Sequence, residues 1–269
     1  MFPAPSLLFA LIINHPQDGL QLRMDQDLAD GKPIVIHVTV ALCDNVNQGI
    51  IPVPSHLGHG QDPKSNLYWG ALYGVRTHLS RTAGWQRLQV AQPGGPILER
   101  CLFFQTLARG DKAVPVTIVA DAWDGAHIKD AITRYLEHCA GAVPESIEVA
   151  SKHLSLEAGG ASHVLAYIGH NGLMEFDVSS QPSKDNLARG AIALACMSRL
   201  YFEELIPASH TLLLTNGLMA PEAYTLDAAI RACVQGAESE QIVLAAATAY
   251  HKYQKCGMTA AKNLFVKPK

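Results

Sequence analysis

The amino-acid sequence predicts an α/β fold, a three-layer sandwich with a mainly parallel central sheet flanked by helices. Two observations carry this prediction. Short apolar runs of strand length recur along the chain, at residues 33–42, 114–120, 164–168 and 191–195. Between and after them lie segments whose apolar residues recur at helical spacing, such as 128–139. Strands that alternate with amphipathic helices are typical of a parallel sheet covered on both faces.

The first half of the chain begins its predicted core with a β-branched strand at 33–42, bounded by glycine, proline and polar residues. An irregular segment follows from Asn45 to about Ser65. Loops of this length are uncommon in compact domains and are often functional. A helix is predicted over 66–79, because Leu67, Ala71, Leu72 and Val75 share one face. The apolar run 114–120 is predicted to be the second core strand.

The second half continues the alternation. Asp124 is a suitable N-cap for the helix over 128–139, and Gly141 is suited to end it. Two further strands follow, at 164–168 and 191–195. The remaining predicted elements are a short helix after Cys196, a strand at 211–214, a helix from Pro221 to about Val234, and a last helix from about Glu240 to near Gly257.

Size and composition favour one domain spanning residues 1–269. The sequence is 48% hydrophobic and 17% charged, which is enough apolar material for a sizeable core. The net charge is −3 and the basic residues form no cluster, so neither a nucleic-acid partner nor a membrane partner is expected. The apolar run 6–13 resembles the core of an export signal but lacks a preceding basic residue. We expect it to be a strand or docked segment, and a weak export signal is the alternative.

The six cysteines are widely spaced and form no Cys-x-x-Cys pair, which argues against a disulfide framework or a zinc site. They are Cys43, Cys101, Cys139, Cys196, Cys233 and Cys256. Most have apolar neighbours, as buried free cysteines do. A reducing compartment and a cytoplasmic location are therefore expected, although the cysteine count does not exclude export.

Two of the predicted strands end in reactive side chains. The run that begins at Val164 leads into Gly169-His170-Asn171-Gly172, and the run that begins at Ala191 ends at Cys196. If these strands are parallel neighbours, His170 and Cys196 emerge together at the carboxyl edge of the sheet, where ligands bind in open α/β folds. A thiol beside an imidazole is the minimum equipment of a cysteine nucleophile.

An apolar strand ending in Gly-His-x-Gly, followed by one ending in Ala-Cys-x-Ser, resembles the caspase-like cysteine peptidases. The resemblance covers roughly residues 34–214 and implies a caspase-like α/β domain. It implies that His170 and Cys196 are the catalytic pair, that Gly172 contributes to the oxyanion turn, and that the substrate is a peptide or protein. No cofactor is implied.

Two features depart from the family pattern. Asn171 stands where the family usually has glycine, and Cys196 follows His170 by only 26 residues. The short spacing leaves little room for a processing loop, so self-cleavage between the two strands is not expected. A catalytically inactive relative that serves as a binding module is therefore a further alternative.

Substrate-binding residues are predicted in the segment after the first strand. Asp44 would favour a basic substrate residue by charge pairing, and Trp69 would line the cleft. The alternative for Asp44 is ordinary turn chemistry, and for Trp69 it is packing of the loop onto the sheet.

A second hypothesis uses the same segment for a metal-dependent hydrolase. His56 and His59, with Asp62 and either Cys43 or Asp44, are side chains that suit zinc or iron. The oligomeric state is left open by the sequence.

Overall fold

The structure is a computed structural model that describes residues 16–81, 84–149, 151, 154–206 and 210–266. Within these residues the strands are β1 Ile34–Ala41, β2 Gln86–Ala91, β3 Ile97–Arg109, β4 Lys112–Trp123, β5 Pro144–Val149, β6 Leu154–Gly159, β7 Val164–Ile168, β8 Gly190–Leu194, β9 His210–Thr215 and β10 Phe265–Val266. The helices are α1 Pro16–Ala29, α2 Val75–Arg81, α3 Ile128–Cys139, α4 Ser198–Phe202, α5 Ala223–Val234, α6 Ser239–Gln254 and α7 Met258–Leu264.

The central sheet confirms the predicted α/β class. Its eight strands are arranged in the order β10-β9-β8-β7-β1-β4-β3-β2. The five strands β9, β8, β7, β1 and β4 are mutually parallel, whereas β10 at one edge and the β2–β3 pair at the other run antiparallel to their neighbours. The sheet is therefore mixed but mostly parallel, with all its parallel strands in the middle.

The middle strands are buried on both faces because helices cover both. All eight residues of β1 and all five of both β7 and β8 are buried. On one face, α1, α2, α5 and α6 pack on residues such as Ile36 and Val38. On the other, α3 and α4 pack on Leu165 and Tyr167. Each fully buried aliphatic side chain contributes roughly 1.5–3 kcal/mol, which explains the continuous apolar runs of these strands.

A two-stranded sheet formed by β5 and β6 extends the layer that contains α3. Its Ile147, Val149 and Leu156 pack on Val35 and on neighbouring strands of the central sheet. Because this hairpin takes the place of a helix there, the flanking layer is only partly helical.

The helix predicted over 66–79 is wrong in its first half, since α2 begins only at Val75. Asn66 is the cause. Its side chain is fully buried, accepts hydrogen bonds from the backbone N–H groups of Cys43 and Tyr68, and donates to the carbonyl oxygens of Cys43 and His59. These bonds hold residues 66–74 as a series of turns on the end of β1.

The other predicted elements are confirmed in kind. The carboxylate of Asp124 accepts from the N–H of Ala126 and caps the 3-10 turn that leads into α3, while Gly141 follows the end of α3 with φ +80°. Strands β2, β3, β5, β6 and β10 and helices α1 and α7 have no counterpart among the predicted elements. The apolar run 6–13 lies outside the described residues. Every helix of the described part is too short or too polar to cross a lipid bilayer.

Candidate active site

The ends of β7 and β8 bring His170 and Cys196 to the same edge of the sheet. The two strands are parallel neighbours in which Ile168 is paired with Leu194, the last residue of each strand. His170 and Cys196 each follow that pair by two residues. The carboxyl edge of the parallel sheet therefore carries both candidate catalytic groups, one on each of two adjacent turns.

His170 is held by one hydrogen bond to its main chain and one to its side chain. The phenol of Tyr167 donates to the carbonyl oxygen of His170 over 2.7 Å. The ring Nε2 lies 2.5 Å from Oε1 of Glu175, which also accepts from the N–H of Gly49 over 2.8 Å. A 3-10 turn over Gly172–Met174 returns the chain so that Glu175 faces the ring. This contact engages Nε2 and leaves Nδ1 as the nitrogen available for proton transfer.

The Cys196 turn is sharp because Met197 adopts the left-handed conformation, φ 51° and ψ 33°, directly before α4. The N–H of Met197 donates to the carbonyl oxygen of Gly217 over 2.8 Å. The thiol is half-buried against Met219, whose N–H lies 3.4 Å from the sulfur and whose carbonyl oxygen lies 3.6 Å from it. The Met219 N–H points at the atom on which a thiolate charge would reside, so it stabilises that charge.

Tyr68 contributes a buried side chain near the site. Its phenol is buried, and both Cys43 and Cys196 are close enough to affect its ionisation. Burial is the main reason why the pKa of Tyr68 is raised well above its ordinary value. Its hydroxyl is therefore a protonated donor beside the thiols at neutral pH.

Asn171 connects the two turns. Its side-chain Nδ2 donates to the carbonyl oxygen of Cys196 over 2.7 Å, and the residue is fully buried. His170 and Cys196, both within the described residues, are not hydrogen-bonded to each other in this conformation. The ring of His170 is bonded to Glu175, and the thiol of Cys196 contacts Met219.

Gly172 lies at the predicted oxyanion position, but its N–H is already used. It donates to the carbonyl oxygen of His170 over 3.1 Å and closes the turn, and the residue is buried. By contrast, the N–H of Cys196 takes part in none of the hydrogen bonds among the described residues. The main-chain amide of Cys196 is thus a donor left free on the residue that carries the thiol.

The other cysteines differ from Cys196 in burial or in position. Burial raises the pKa of Cys43 to about 11, and those of Cys101 and Cys233 to about 12. These three thiols are protonated at neutral pH. Cys256 is exposed and lies after α6.

Asp44 is built into the loop that follows β1. Only 1% of the residue is exposed, and its carboxylate accepts from the N–H groups of Val46 and Asn47 and from the side-chain amides of Asn47 and Gln61. Although burial opposes it, these hydrogen bonds lower the pKa of Asp44. A carboxylate so enclosed corresponds to the alternative of turn chemistry, and it offers a substrate little surface for charge pairing.

Trp69 is fully buried, and its indole N–H donates to Glu99 over 2.9 Å. Arg76 binds the same carboxylate at 3.1 and 3.2 Å. The indole therefore packs the loop onto the sheet, the second of the roles considered for it, and has no face open to a cleft.

The structure does not bring a set of metal ligands together around His56 and His59. Both histidines are exposed, and Asp62 accepts instead from the N–H of Lys64 and the hydroxyl of Ser65. In the described ranges, no group of three or more His, Cys, Asp or Glu side chains is arranged to hold a metal ion.

Three residues of the site, Glu175, Asn171 and Met219, are not identified as functional by the sequence. Glu175 follows His170 by five residues. The 3-10 turn between them brings the two side chains into contact, but no sequence pattern predicts this contact. In the sequence Asn171 is only a departure from a family pattern, whereas the structure gives it a specific bond to Cys196.

Comparison with known proteins adds no relative: no family model matches the chain, and no curated protein or solved structure matches it significantly. The geometry of the site must therefore carry the functional argument alone.

Proposed function

We propose that the protein is a cysteine hydrolase of the caspase-like type that cleaves peptide bonds with His170 and Cys196. The observation that supports it is the pairing of Ile168 with Leu194, which brings an imidazole and a thiol to adjacent turns at the carboxyl edge of a mostly parallel sheet. The order of the pair along the chain, histidine before cysteine, agrees with the family that the motifs resemble.

The first half of the reaction is acyl transfer. His170 accepts the thiol proton, the sulfur of Cys196 attacks the carbonyl carbon of the scissile peptide, and a C–S bond forms. The negative oxygen of the tetrahedral intermediate is stabilised by the Cys196 N–H. As the C–N bond breaks, the imidazolium of His170 gives its proton to the leaving amine. The product is a thioester on Cys196 and a free amine.

The second half is hydrolysis of the thioester. His170 takes a proton from a water molecule, whose oxygen attacks the thioester carbonyl. The C–S bond breaks, the acid product leaves, and the proton returns to the sulfur. Glu175 accepts the Nε2–H throughout and keeps Nδ1 directed to the reacting atoms. This geometry requires the bond from the thiol to the carbonyl oxygen of Met219 to break when substrate binds, whereas the contact from the Met219 N–H to the sulfur is retained.

Thiol reactivity offers the most direct test. Full-length protein is treated with limiting iodoacetamide at pH 7, and the modified fraction of each cysteine is measured by peptide mass spectrometry. Cys256 is the reference thiol, because it is exposed and its sulfur contacts the carbonyl oxygen of Gly257, while Nδ1 of the nearby His251 accepts from the N–H of Gly257. We expect Cys196 to react faster than Cys256 although it is less exposed, and His170→Ala to remove that advantage.

Hydrolysis is tested separately with a library of fluorogenic peptides. Cleavage that is lost in Cys196→Ala and retained in Cys101→Ala would support the proposal. Activated Cys196 without cleavage of any peptide would favour the inactive binding module. A Cys196 thiol that reacts more slowly than Cys256, in a protein that also cleaves no peptide, would overturn the assignment.

A further inference from the structure

We propose that Asn171 is a positioning residue, which holds the turn that carries Cys196 in a fixed relation to the turn that carries His170. The inference rests on the proposed function. One buried amide follows His170 directly in the chain and bonds the backbone of Cys196 over 2.7 Å. No other side chain described here joins the two turns in this way.

The sheet itself cannot hold the two turns together. The ladder between β7 and β8 ends with the N–H of Gly169 and the carbonyl oxygen of Leu194, which are 3.4 Å apart. Beyond this long contact, no main-chain hydrogen bond between the described residues connects the turns. Beyond the last main-chain contact, the hydrogen bond from the Asn171 side chain connects the two turns. The relative position of the turns therefore depends on this bond.

The bond also completes the restraint on Cys196. Asn171 holds the carbonyl oxygen of the residue, and Met219 holds its sulfur from the other end. Two fixed points, one on the main chain and one on the side chain, define the direction of the thiol. A nucleophile gains from such restraint because the entropy of orientation is lost before the reaction begins.

The Asn171 side chain leaves its acceptor atom, Oδ1, without a hydrogen bond among the described residues, and this oxygen is buried. A buried carbonyl oxygen without a partner lowers the stability of the fold, and an apolar side chain at this position would avoid that loss. An amide here is therefore a poor choice for packing alone, whereas its Nδ2 has a specific acceptor.

A double-mutant cycle on thiol reactivity tests the proposal. The rate of alkylation of Cys196 by iodoacetamide is measured from pH 6 to pH 10 in the full chain and in Asn171→Ala, His170→Ala and the double variant. We expect Asn171→Ala to lower the rate about 10-fold at pH 7 and to leave it unchanged at pH 10, where a thiol ionises without a base. In the His170→Ala background, Asn171→Ala should have no further effect.

Two more variants guard against a trivial loss of folding. Asn171→Asp keeps the size of the side chain but lacks the N–H donor, and it should react as slowly as Asn171→Ala. Asn216→Ala removes an exposed amide of the loop that follows β9 and should react like the unmodified protein. Circular dichroism and urea denaturation verify that each variant is folded.

The outcomes separate the two proposals. If His170→Ala slows alkylation but Asn171→Ala does not, the Asn171 role is overturned and the proposed function stands. An equal loss at pH 7 and pH 10, or a loss that persists in the His170→Ala background, also overturns the role, because it indicates a general structural effect. If His170→Ala has no effect on Cys196, both proposals fail.

Discussion

Glu175 Oε1 accepts the Nε2 of His170 over 2.5 Å and, on the same oxygen, the N–H of Gly49 over 2.8 Å. One carboxylate oxygen therefore joins the turn after β7 to the long loop after β1. The carboxylate of Glu175 restrains the ring of His170, and the N–H of Gly49 in turn restrains that carboxylate. The direction of Nδ1 thus depends on two segments that are distant in sequence.

The Glu175 contact leads to the first prediction, which rests on the proposed function. Glu175→Ala removes the acceptor, so the ring can rotate, and the rate of peptide cleavage should fall about 10-fold. Glu175→Gln keeps an oxygen that can accept both N–H groups, so its rate should stay within about 3-fold of the unmodified protein. Kinetics with the best fluorogenic peptide measure both. Equal losses in the two variants would show that charge, not orientation, is what Glu175 contributes.

The second prediction concerns Asp44. Asp44→Ala leaves four donors without their acceptor, and we expect the free energy of unfolding to fall by about 2–4 kcal/mol. Urea denaturation measures it, with Asp111→Ala at an exposed turn as the control, expected within about 0.5 kcal/mol. Unchanged stability, together with a changed preference for basic substrate residues, would restore Asp44 as a specificity residue.

The third prediction is a pH dependence of stability that His163 contributes. The ring Nδ1 accepts from the N–H of Val35, and Nε2 contacts Asp27. Burial, assisted by Arg23, lowers the pKa of His163 to about 4 from an ordinary 6.5. The unfolded chain therefore takes up a proton that the folded chain refuses, and stability falls as the pH drops from 6.5 to about 4. At about 1.4 kcal/mol per pH unit, the loss is about 3 kcal/mol.

His163→Gln should make the free energy of unfolding less dependent on pH between 4 and 6.5, by about one proton. His127→Gln is the matched control, since this histidine is half-exposed and bonded only to the exposed Asp130. Denaturation midpoints in urea across this range measure both variants. The same slope in His163→Gln and in the unmodified protein would contradict the prediction.

The fourth prediction concerns the buried ion pair between Arg100 and Asp121. The guanidinium binds both carboxylate oxygens over 2.6 Å, and His37 contacts the same group. Although burial opposes it, the bonds from Arg100 and His37 lower the pKa of Asp121 to about 2. Asp121→Asn leaves the Arg100 charge without its main partner, so it should lower the free energy of unfolding by about 3–5 kcal/mol.

Thermal and urea denaturation measure the Asp121→Asn variant, with Asp130→Asn as a control for an exposed pair. A loss below about 1 kcal/mol would indicate that Glu145, which lies 2.8 Å from Arg100, compensates the charge.

Sequence reasoning succeeded where a strand is buried on both faces and failed where polar residues lie inside the core. Strands β1, β7 and β8 are continuous apolar runs because helices or strands cover both of their faces. Such runs can be identified as strands from the sequence alone. In β3, by contrast, Glu99 and Arg100 interrupt the pattern. Their partners, Trp69 and Asp121, are about 20 to 30 residues away, and only the folded chain reveals that both charges are satisfied.

The candidate site shows the same limit. The positions of His170 and Cys196 followed from strand ends, which are local features. The roles of Glu175, Asn171 and Met219 arise from turns and side-chain bonds whose geometry depends on the surrounding fold, and a single sequence carries no signal for them.

The position of β1 has a consequence for biosynthesis. Among the described strands, β1 is translated first. Its two neighbours, β4 and β7, are translated about 80 and about 130 residues later, so at roughly 5–20 residues per second the β1 backbone waits at least about 4 s for a partner. During that interval, eight consecutive residues destined for the core have neither edge paired. The nascent chain is thus most exposed to aggregation, and most in need of a chaperone, before His170 has left the ribosome.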